Sequence, residues 1–464
     1  MSNFARVITA YEREPGPLRI LSASGQLGYG VLEKAFRAGV ERRPHLIGAD
    51  MGSVDPGPYY LGAGRMATSR RVSKSDLKQL LMGAVGNGIP LVIGTAGTGG
   101  GDPHLAAVVD IVREIAREEK LSFRLATIGA EIPKDMVKTA ARAGKVRSIG
   151  PIPALTDEEI DGASRIVGQM GTEAFIRAID QDVDVIIAGR ACDTAIYTCL
   201  PARLGLPMAP AMQMAKIIEC ASLCCEPGGR DSMLGTLEGD SFVLESMNPN
   251  RRATPLSVAA HGLYEQADPL SVIEPEGVLH LGDSKFEAVD ERRCRVSGAR
   301  WVPAKQFTVK IEGATRVGAR AICVAGSVDP VFIAKAREII PAVEAIVREL
   351  VPPDPAKPYQ LFFRFYGLGV IGGHPVTTLP EEIGIIVECI GSDEDEARAV
   401  VASCKQYLLH HGFPGRISTA GNTAFPFTPP ELTAGDAYRF SVYHIMDVDA
   451  LEPLFPVSVE AVGG

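Results

Sequence analysis

The segment Val-Asp-Val-Ile-Ile-Ala-Gly, residues 183–189, predicts a buried β-strand that ends in a glycine. A short, continuous apolar run bounded by turn residues is typical of a strand covered on both faces. The preceding residues, 171–182, have the apolar periodicity of a helix. A helix that leads into a buried strand is the repeating unit of parallel sheets, so this stretch indicates the fold of the N-terminal half.

The same alternation extends towards the N-terminus. We predict strands at 19–22, 45–50, 90–95 and 123–128, separated by segments with helical periodicity. The fold class is therefore α/β, with a Rossmann-like, mostly parallel sheet over residues 1–235. Short strand-like segments follow, and helices are predicted at 330–349 and 392–411. These predict a smaller α+β domain over 236–464, which the proline-rich segment 351–358 could divide into two sub-parts.

Composition narrows the class of protein. The 464 residues are 46% hydrophobic and 22% charged, a balance that permits a large core. The net charge of −9 argues against nucleic acid as a partner. We find no apolar signal region and no run of apolar residues long enough to span a membrane. We therefore expect a cytoplasmic protein with no membrane partner and with its nine cysteines reduced.

Ligands of open parallel sheets bind beyond the carboxyl ends of the strands, and four loops are predicted there. In the first loop, 22–30, Ser22 and Ser24 are candidate substrate-binding residues. The alternative is that this loop forms only a tight turn.

The second loop, 48–62, contains two carboxylates, Asp50 and Asp55, which we predict to be catalytic. Two neighbouring carboxyl groups tend to have different pKa values, which suits general acid–base chemistry. Ser53 and Tyr59 are candidate substrate-binding residues of the same loop. We expect no cofactor, although a divalent metal at the Asp50/Asp55 loop is an open alternative. Another is that Asp50 only caps a turn.

The third loop, 94–104, is rich in glycine and leads into a helix. It lacks the lysine of a nucleotide-binding loop, so we interpret it as a nest of backbone amides for a carboxylate or phosphate. Asp102 and His104 are candidate catalytic residues, and a helix N-terminus would keep His104 neutral. Asp102 as a simple helix cap is the alternative. The predicted substrate-binding residues are Thr95, Gly99, Gly100 and Gly101.

The fourth loop follows the strand 183–189. Arg190 could bind a substrate carboxylate through both arms of its guanidinium. Asp193 either joins the acid–base set or caps the next helix, and Cys192 is a weak candidate nucleophile. Two further segments, 227–231 and 257–265, are candidate lids, and His261 is a candidate substrate-binding residue in the second of them. His261 and Glu265 would share one face of a helix, which is also what a surface pair would do.

Several motifs resemble one family, that of the acyclic terpene utilisation protein AtuA. They are Met-Gly-Ser-Val-Asp-Pro-Gly-Pro-Tyr-Tyr-Leu-Gly (51–62), the glycine-rich loop 94–104, Ala-Gly-Arg-Ala-Cys-Asp (188–193), His-Gly-Leu-Tyr-Glu-Gln-Ala-Asp-Pro (261–269), the segment 414–427 and Ser-Val-Tyr-His-Ile-Met (441–446). The resemblance implies a role in the breakdown of acyclic terpenes through CoA thioesters. It also implies a small companion subunit. It assigns no catalytic residues, so the candidate sites rest on the loops.

The loops favour a cofactor-independent lyase of the hydratase/dehydratase type, acting on a small hydroxy- or unsaturated carboxylic acid or its CoA thioester. One alternative is a CoA-ester carbon–carbon lyase or hydrolase of terpenoid catabolism. Another is a non-catalytic ligand-binding or scaffolding subunit. The expected partners are an anionic substrate, the companion subunit and further copies of the chain in a homo-oligomer.

Overall fold

The computed structural model describes residues 1–263 and 268–463. The chain forms two compact units, one of Met1–Thr315 with Phe440–Gly464 and one of Arg316–Arg439. This division differs from the predicted boundary at residue 235. Strands after that residue pair into the first sheet, so the first unit extends well beyond it. The proline-rich segment 351–358 lies inside the second unit.

The strands of the described residues are β1 (Leu18–Ser22), β2 (Leu46–Asp50), β3 (Leu91–Gly94), β4 (Phe123–Ile128), β5 (Val146–Ser148), β6 (Ala163–Gly168), β7 (Val185–Ala188), β8 (Met233–Glu238), β9 (Ser241–Ser246), β10 (Ser271–Glu274), β11 (Gly277–His280), β12 (Lys285–Ala288), β13 (Arg293–Ser297), β14 (Arg300–Pro303), β15 (Phe307–Ser327), β16 (Gln360–Tyr366), β17 (Ile383–Gly391), β18 (Glu431–Val448) and β19 (Val457–Val462).

The α-helices are α1 (Asn3–Arg13), α2 (Glu33–Glu41), α3 (Tyr59–Ala63), α4 (Arg70–Val85), α5 (Asp102–Glu119), α6 (Lys134–Arg142), α7 (Asp157–Gly162), α8 (Thr172–Ile179), α9 (Asp193–Arg203), α10 (Met208–Ile218), α11 (Pro255–His261), α12 (Pro330–Leu350) and α13 (Glu394–His410). Short 3-10 helices lie at Ala221–Cys224 and Glu452–Leu454.

A ten-stranded sheet forms the centre of the first unit, in the order β12-β13-β9-β8-β1-β2-β3-β7-β4-β19. Its middle strands, β1, β2, β3, β7 and β4, pair in parallel, as the alternating sequence pattern predicts. The flanking strands are antiparallel: β8 pairs with β1 on one side and β19 pairs with β4 on the other. The sheet is therefore mixed, and the expectation of a mostly parallel sheet holds only for its centre.

Apolar side chains on both faces of these middle strands explain their continuous hydrophobic runs. Successive residues such as Ile186 and Ile187 belong to two different core clusters, one on each side of the sheet. Helices α8, α9 and α10 pack on one face, and α2, α4 and α5 pack on the other. Because helices cover both faces, the polar loops at the strand ends are the parts of this sheet left open for ligands.

The second unit has an antiparallel sheet core formed by β16, β17 and the end of β15. Helices α12 and α13 pack against this sheet, with Phe332 and Val401 buried among residues of β17. The predicted helix 392–411 is found at Glu394–His410, where the Asp393 side chain accepts a hydrogen bond from the Glu396 amide. In the described residues of both units, no helix combines the length and apolarity that crossing a membrane requires.

Candidate active site

A cleft of about 450 Å³ lies at the carboxyl edge of the parallel strands. It is formed by the loops that follow β1, β2 and β7, together with residues that follow α10. Its lining residues are Gly25, Gln26, Asp50, Gly52, Ser53, Asp55, Pro56, Asp193, Cys220, Leu223, Gly229 and Arg230. Loops from three strands of the parallel centre meet here because parallel strands end at the same edge of a sheet.

Asp50 is the last residue of β2 and is 5% exposed. Its Oδ2 accepts a hydrogen bond of 2.6 Å from the Gly52 amide, whereas its buried Oδ1 has no hydrogen-bond partner. Gly52 has a φ of +119°, a conformation that favours glycine. Burial, followed by the negative charge of Asp193, raises the pKa of Asp50 well above its ordinary value. The site therefore favours the protonated acid at this position.

Asp193 also lines this cleft. It is the first residue of α9, which follows β7. The positive end of a helix dipole favours a negative charge in the first turn. Asp50 and Asp193 therefore face one cleft, and the negative charge of Asp193 is the second cause of the raised pKa of Asp50.

Three charged residues near this pair were not predicted. Lys216 and Glu219 form a buried ion pair at the end of α10, with Nζ 2.5 Å from Oε1. Burial, opposed by Lys216 and reinforced by Asp193, raises the pKa of Glu219 to about 8. Burial also raises the pKa of Glu274, which accepts a hydrogen bond of 2.8 Å from the Thr194 hydroxyl. Lys216 is the one charged residue within the mostly apolar helix α10, and this was the sequence signal that could have indicated the pair.

Asp55 lies at the exposed side of the cleft rather than beside Asp50 in the interior. Its Oδ2 accepts a hydrogen bond of 2.5 Å from the Ser53 hydroxyl, and Ser53 Oγ accepts one of 3.1 Å from the Asp55 amide. Among the described residues, no group of three or more His, Cys, Asp or Glu side chains could hold a metal ion. The divalent cation at the Asp50/Asp55 loop stays an untested alternative.

The glycine-rich loop 94–104 packs against the loop that contains Arg190. It does not form the open nest of backbone amides that we predicted for an anion. The Gly100 carbonyl accepts a hydrogen bond of 3.0 Å from the Arg190 amide, and a Cβ on Gly100 would lie 2.3 Å from that nitrogen. The Asp102 amide at the start of α5 donates to Glu131 Oε1 at 2.9 Å. An internal carboxylate thus occupies the position predicted for a ligand. Thr95, Gly99, Gly100 and Gly101 are all buried, and their small size serves close packing of two loops.

The cleft lined by Asp50 and Asp193 is called the acid cleft below. His104 and Asp102 are not among its lining residues. The His104 ring is fully buried, with Nε2 2.9 Å from the Tyr60 carbonyl and Nδ1 without a hydrogen-bond partner. Its pKa is lowered, as predicted, although the main cause is burial. Asp102 is exposed in a separate depression with Arg113 and Glu460. These two residues do not join Asp50 and Asp193.

Arg190 has an internal partner instead of an open path to substrate. Its Nε lies 2.8 Å from Glu312 Oε2, and its side chain is only 4% exposed. Lys310 Nζ contacts the other oxygen of Glu312 at 2.8 Å. Arg190 thus forms an ion pair with Glu312 in the interior of the protein. This corrects our prediction that Arg190 binds a substrate carboxylate.

Arg230 is the arginine that lines the cleft, and it is exposed. One of its nitrogens donates to the Gln26 carbonyl at 2.9 Å, and its guanidinium lies 5.2 Å from the centre of the Tyr29 ring. These contacts orient the cation while leaving it accessible. Arg230 belongs to the segment 227–231 that the sequence indicated as a lid.

The remaining candidate residues do not line the cleft. Ser22 is buried with its Oγ 3.1 Å from the Tyr197 hydroxyl, and Ser24 is buried with its Oγ 3.4 Å from the Gln26 carbonyl. Tyr59 packs edge-on against Tyr60, with ring centres 5.3 Å apart.

Two further candidates from the sequence are also placed. Burial and Lys216 lower the pKa of His261 to about 4, and its predicted neighbour Glu265 lies outside the described residues. Burial raises the pKa of Cys192 well above its ordinary value, which disfavours a thiolate nucleophile there.

Comparison with known protein families gives one match over most of the chain. The model of the acyclic terpene utilisation family protein AtuA matches residues 70–231 and 236–430. The chain belongs to the AtuA family. Searches of curated proteins and of solved structures give no match.

The AtuA family match covers one side of the acid cleft and not the other. Asp193, Cys220 and Arg230 lie within the matched residues, as does the Lys216–Glu219 pair. Asp50 and Asp55 precede the first matched residue. The family assignment therefore does not depend on the loop 48–62, which contains Asp50.

Proposed function

We propose that this AtuA-family chain is a cofactor-independent lyase of the hydratase/dehydratase type. Its substrate would be a small hydroxy- or unsaturated carboxylic acid or the CoA thioester of such an acid. The observation that carries the proposal is the buried carboxyl of Asp50, which faces a cleft shared with Asp193 and favours its protonated form. A protonated acid beside a carboxylate is the pair that elimination of water needs.

In the dehydration direction, the Asp193 carboxylate removes a proton from the carbon next to the substrate carbonyl. The carbon–oxygen bond to the hydroxyl then breaks, and Asp50 donates its proton to the departing oxygen. One water and one double bond form, and the proton gained by Asp193 equals the proton lost by Asp50. Hydration follows the same steps in reverse, and proton exchange with solvent restores the pair.

Arg230 is the proposed partner of the substrate's negative group. Arg230→Ala should raise KM by about tenfold, because a hydrogen bond to a charged group contributes about 1.5–3 kcal/mol. The turnover number should change little, since this contact would be made equally in the ground state and the transition state. Arg252→Ala is the control, because Arg252 is exposed in the same region but does not line the cleft. Equal KM values for both variants would remove Arg230 from substrate binding.

The function is tested by incubating the purified chain with hydroxy- and unsaturated acids, both free and as CoA thioesters. Incorporation of deuterium from D₂O next to the carbonyl reports proton abstraction, and mass spectrometry reports gain or loss of water. We expect exchange and hydration on the same substrate, with no added cofactor. Cleavage of a carbon–carbon bond or of the thioester would instead favour a carbon–carbon lyase or hydrolase. Binding without either reaction would favour a scaffolding subunit.

We extend the proposal to the fold of the first unit, the cellular location and the assembly of the chain. The parallel centre of the sheet, with helices on both faces, supports a Rossmann-like arrangement. We also propose a cytoplasmic homo-oligomer that works with a small companion subunit. Size measurement of the chain alone and after mixing with a candidate companion subunit tests both assemblies.

A further inference from the structure

We propose that Glu274 is a positioning residue, which holds Asp193 at the acid cleft through a hydrogen bond to Thr194. Glu274 Oε1 accepts this buried hydrogen bond from Thr194 Oγ1 at 2.8 Å. Thr194 directly follows Asp193 in the first turn of α9. Glu274 itself is not among the lining residues of the cleft. This role rests on the proposed hydratase/dehydratase function, because it acts through the proposed base Asp193.

The start of α9 has no side-chain cap of its own. Its N-cap residue, Cys192, makes no side-chain hydrogen bond to the first turn. The first turn of a helix has free backbone amides and frays easily, so contacts from elsewhere are needed to hold Asp193 in one place. Among these contacts, the Cys192 amide donates to the Met170 carbonyl at 2.8 Å, and the Thr194 hydroxyl donates to Glu274.

Glu274 reaches α9 from a separate three-stranded sheet, β10-β11-β14. It is the last residue of β10 and pairs with Gly277 of β11. Val272 and Leu279 of this sheet pack with Met212 of α10 in one buried cluster. The carboxyl of Glu274 is therefore carried by a paired and packed strand rather than by a free loop, as a residue that positions another should be.

A second carboxyl of the same hairpin fixes its turn. Glu276 Oε1 accepts a hydrogen bond of 3.0 Å from the Glu173 amide in the first turn of α8. A Cβ on Gly171, the N-cap residue of α8, would lie 2.2 Å from Glu276 Oε1, so this approach needs glycine. The turn between β10 and β11 is thus attached to the starts of two helices, α8 and α9, which restricts the movement of Glu274.

The burial of Glu274 has a cost that an apolar side chain would avoid. Glu274 is 8% exposed, and burial raises the pKa of its carboxyl, although hydrogen bonds from Cys192 and Thr194 oppose this rise. Well-packed hydrophobic residues often stabilise a buried position at least as well as charged ones. We therefore assign Glu274 a role in the geometry of the cleft rather than in stability alone.

The first test compares crystal structures of the wild type and of Glu274→Leu. We expect the Asp193 carboxyl of the variant to move by about 1 Å or to occupy several rotamers, a displacement large enough to affect catalysis. Glu274→Gln should restore the wild-type position, because its amide oxygen still accepts a hydrogen bond from Thr194. An unmoved Asp193 in Glu274→Leu would overturn the proposal. This comparison needs no substrate, so it does not depend on the proposed function.

The second test measures kcat and KM on the substrate that the deuterium-exchange screen identifies. Glu274→Leu and Thr194→Val should each lower kcat by about 10- to 100-fold with little change in KM, because a misplaced base loses its advantage. The double variant should be no worse than either single variant, since both break one contact. Thr198→Val is the matched control, because the buried Thr198 hydroxyl bonds to the Thr194 carbonyl and to Thr172. It should keep its kcat.

The outcomes separate this role from the function on which it rests. Loss of activity in Asp193→Asn with full kcat in Glu274→Leu would refute the positioning role alone. Equal losses of kcat in Thr194→Val and Thr198→Val would show a general effect of the helix and would also refute it. Full activity in Asp193→Asn would overturn both proposals. If no compound of the screen turns over, the proposed function fails and the crystal comparison alone decides whether Glu274 positions Asp193.

Discussion

Arg190→Met is expected to lower the free energy of unfolding by about 3–5 kcal/mol, the usual cost of removing one partner from a buried ion pair. The variant leaves Glu312, which is fully buried, with Lys310 as its remaining cation. At present both Arg190 and Lys310 hold the pKa of Glu312 below its ordinary value despite its burial. Urea denaturation at neutral pH measures the loss.

Two further variants test the ion pair itself. The double variant Arg190→Met with Glu312→Leu should be less destabilised than the sum of the single variants, because it leaves no unpaired carboxylate. Arg203→Met is the matched control, since Arg203 is partly exposed and pairs with the partly exposed Asp180 at 2.6 Å. Its effect should stay within about 1 kcal/mol, as for most surface ion pairs. If Arg190→Met kept full stability and raised only KM, Arg190 would be a substrate clamp after all.

Arg190 illustrates what a sequence pattern omits. An arginine after a buried strand indicates that a guanidinium lies at the ligand edge of the sheet, but not which carboxylate it meets. Glu312 is 122 residues away in sequence, in a strand with no periodic relation to the Arg190 loop. The glycine-rich loop was misinterpreted for the same reason, because Glu131 reaches the start of α5 from a different loop.

The parallel strands were predictable because their signal is local. Each middle strand has apolar residues on both faces, and helical periodicity separates it from the next strand. The antiparallel additions were not predictable in this way. Pairing of β8 with β1 joins Leu237 to Leu18, and such long-range pairing leaves no periodic signal in the sequence.

The Asp50–Asp193 pair was predictable in part. Both residues follow parallel strands, so both were placed at one edge of the sheet, but five candidate acids and bases were placed there together. Burial decided between them: Asp50 is enclosed, Asp55 is exposed, and His104 is buried outside the cleft. Burial depends on the whole fold, as the unpredicted Glu219 also shows.

Asp50→Asn is expected to lower kcat by about 10²–10⁴-fold on the substrate that the deuterium-exchange screen identifies, because it removes the proposed general acid. In the wild type, the dehydration rate should fall as the pH rises through the raised pKa of Asp50, since the carboxyl loses the proton that it donates. Asparagine keeps the size of the side chain but does not titrate. The steady-state rate as a function of pH measures both effects.

Stability separates this catalytic role from a structural one. An exposed aspartate has a pKa of 3.8, and burial raises that of Asp50 well above it. Between the two pKa values the folded protein holds a proton that the unfolded chain has lost, so stability decreases as pH rises through this window. Asp50→Asn should remove that decrease and be at least as stable as the wild type at neutral pH. A lower melting temperature, with residual activity that tracks the folded fraction, would show instead that Asp50 only caps its loop.

Asp55→Asn is the matched control for this prediction. It removes a carboxylate from the same loop and the same cleft, but one that is exposed and held by Ser53. We expect this variant to keep most of its activity, because the Asp55 carboxylate is exposed and bound to Ser53, whereas the proposed acid, Asp50, is enclosed at the end of β2. Loss of activity in Asp55→Asn together with full activity in Asp50→Asn would move the acid role to Asp55. Full activity in both folded variants would remove the loop from the mechanism and leave Asp193 and the Lys216–Glu219 pair as the remaining acid–base groups around the cleft.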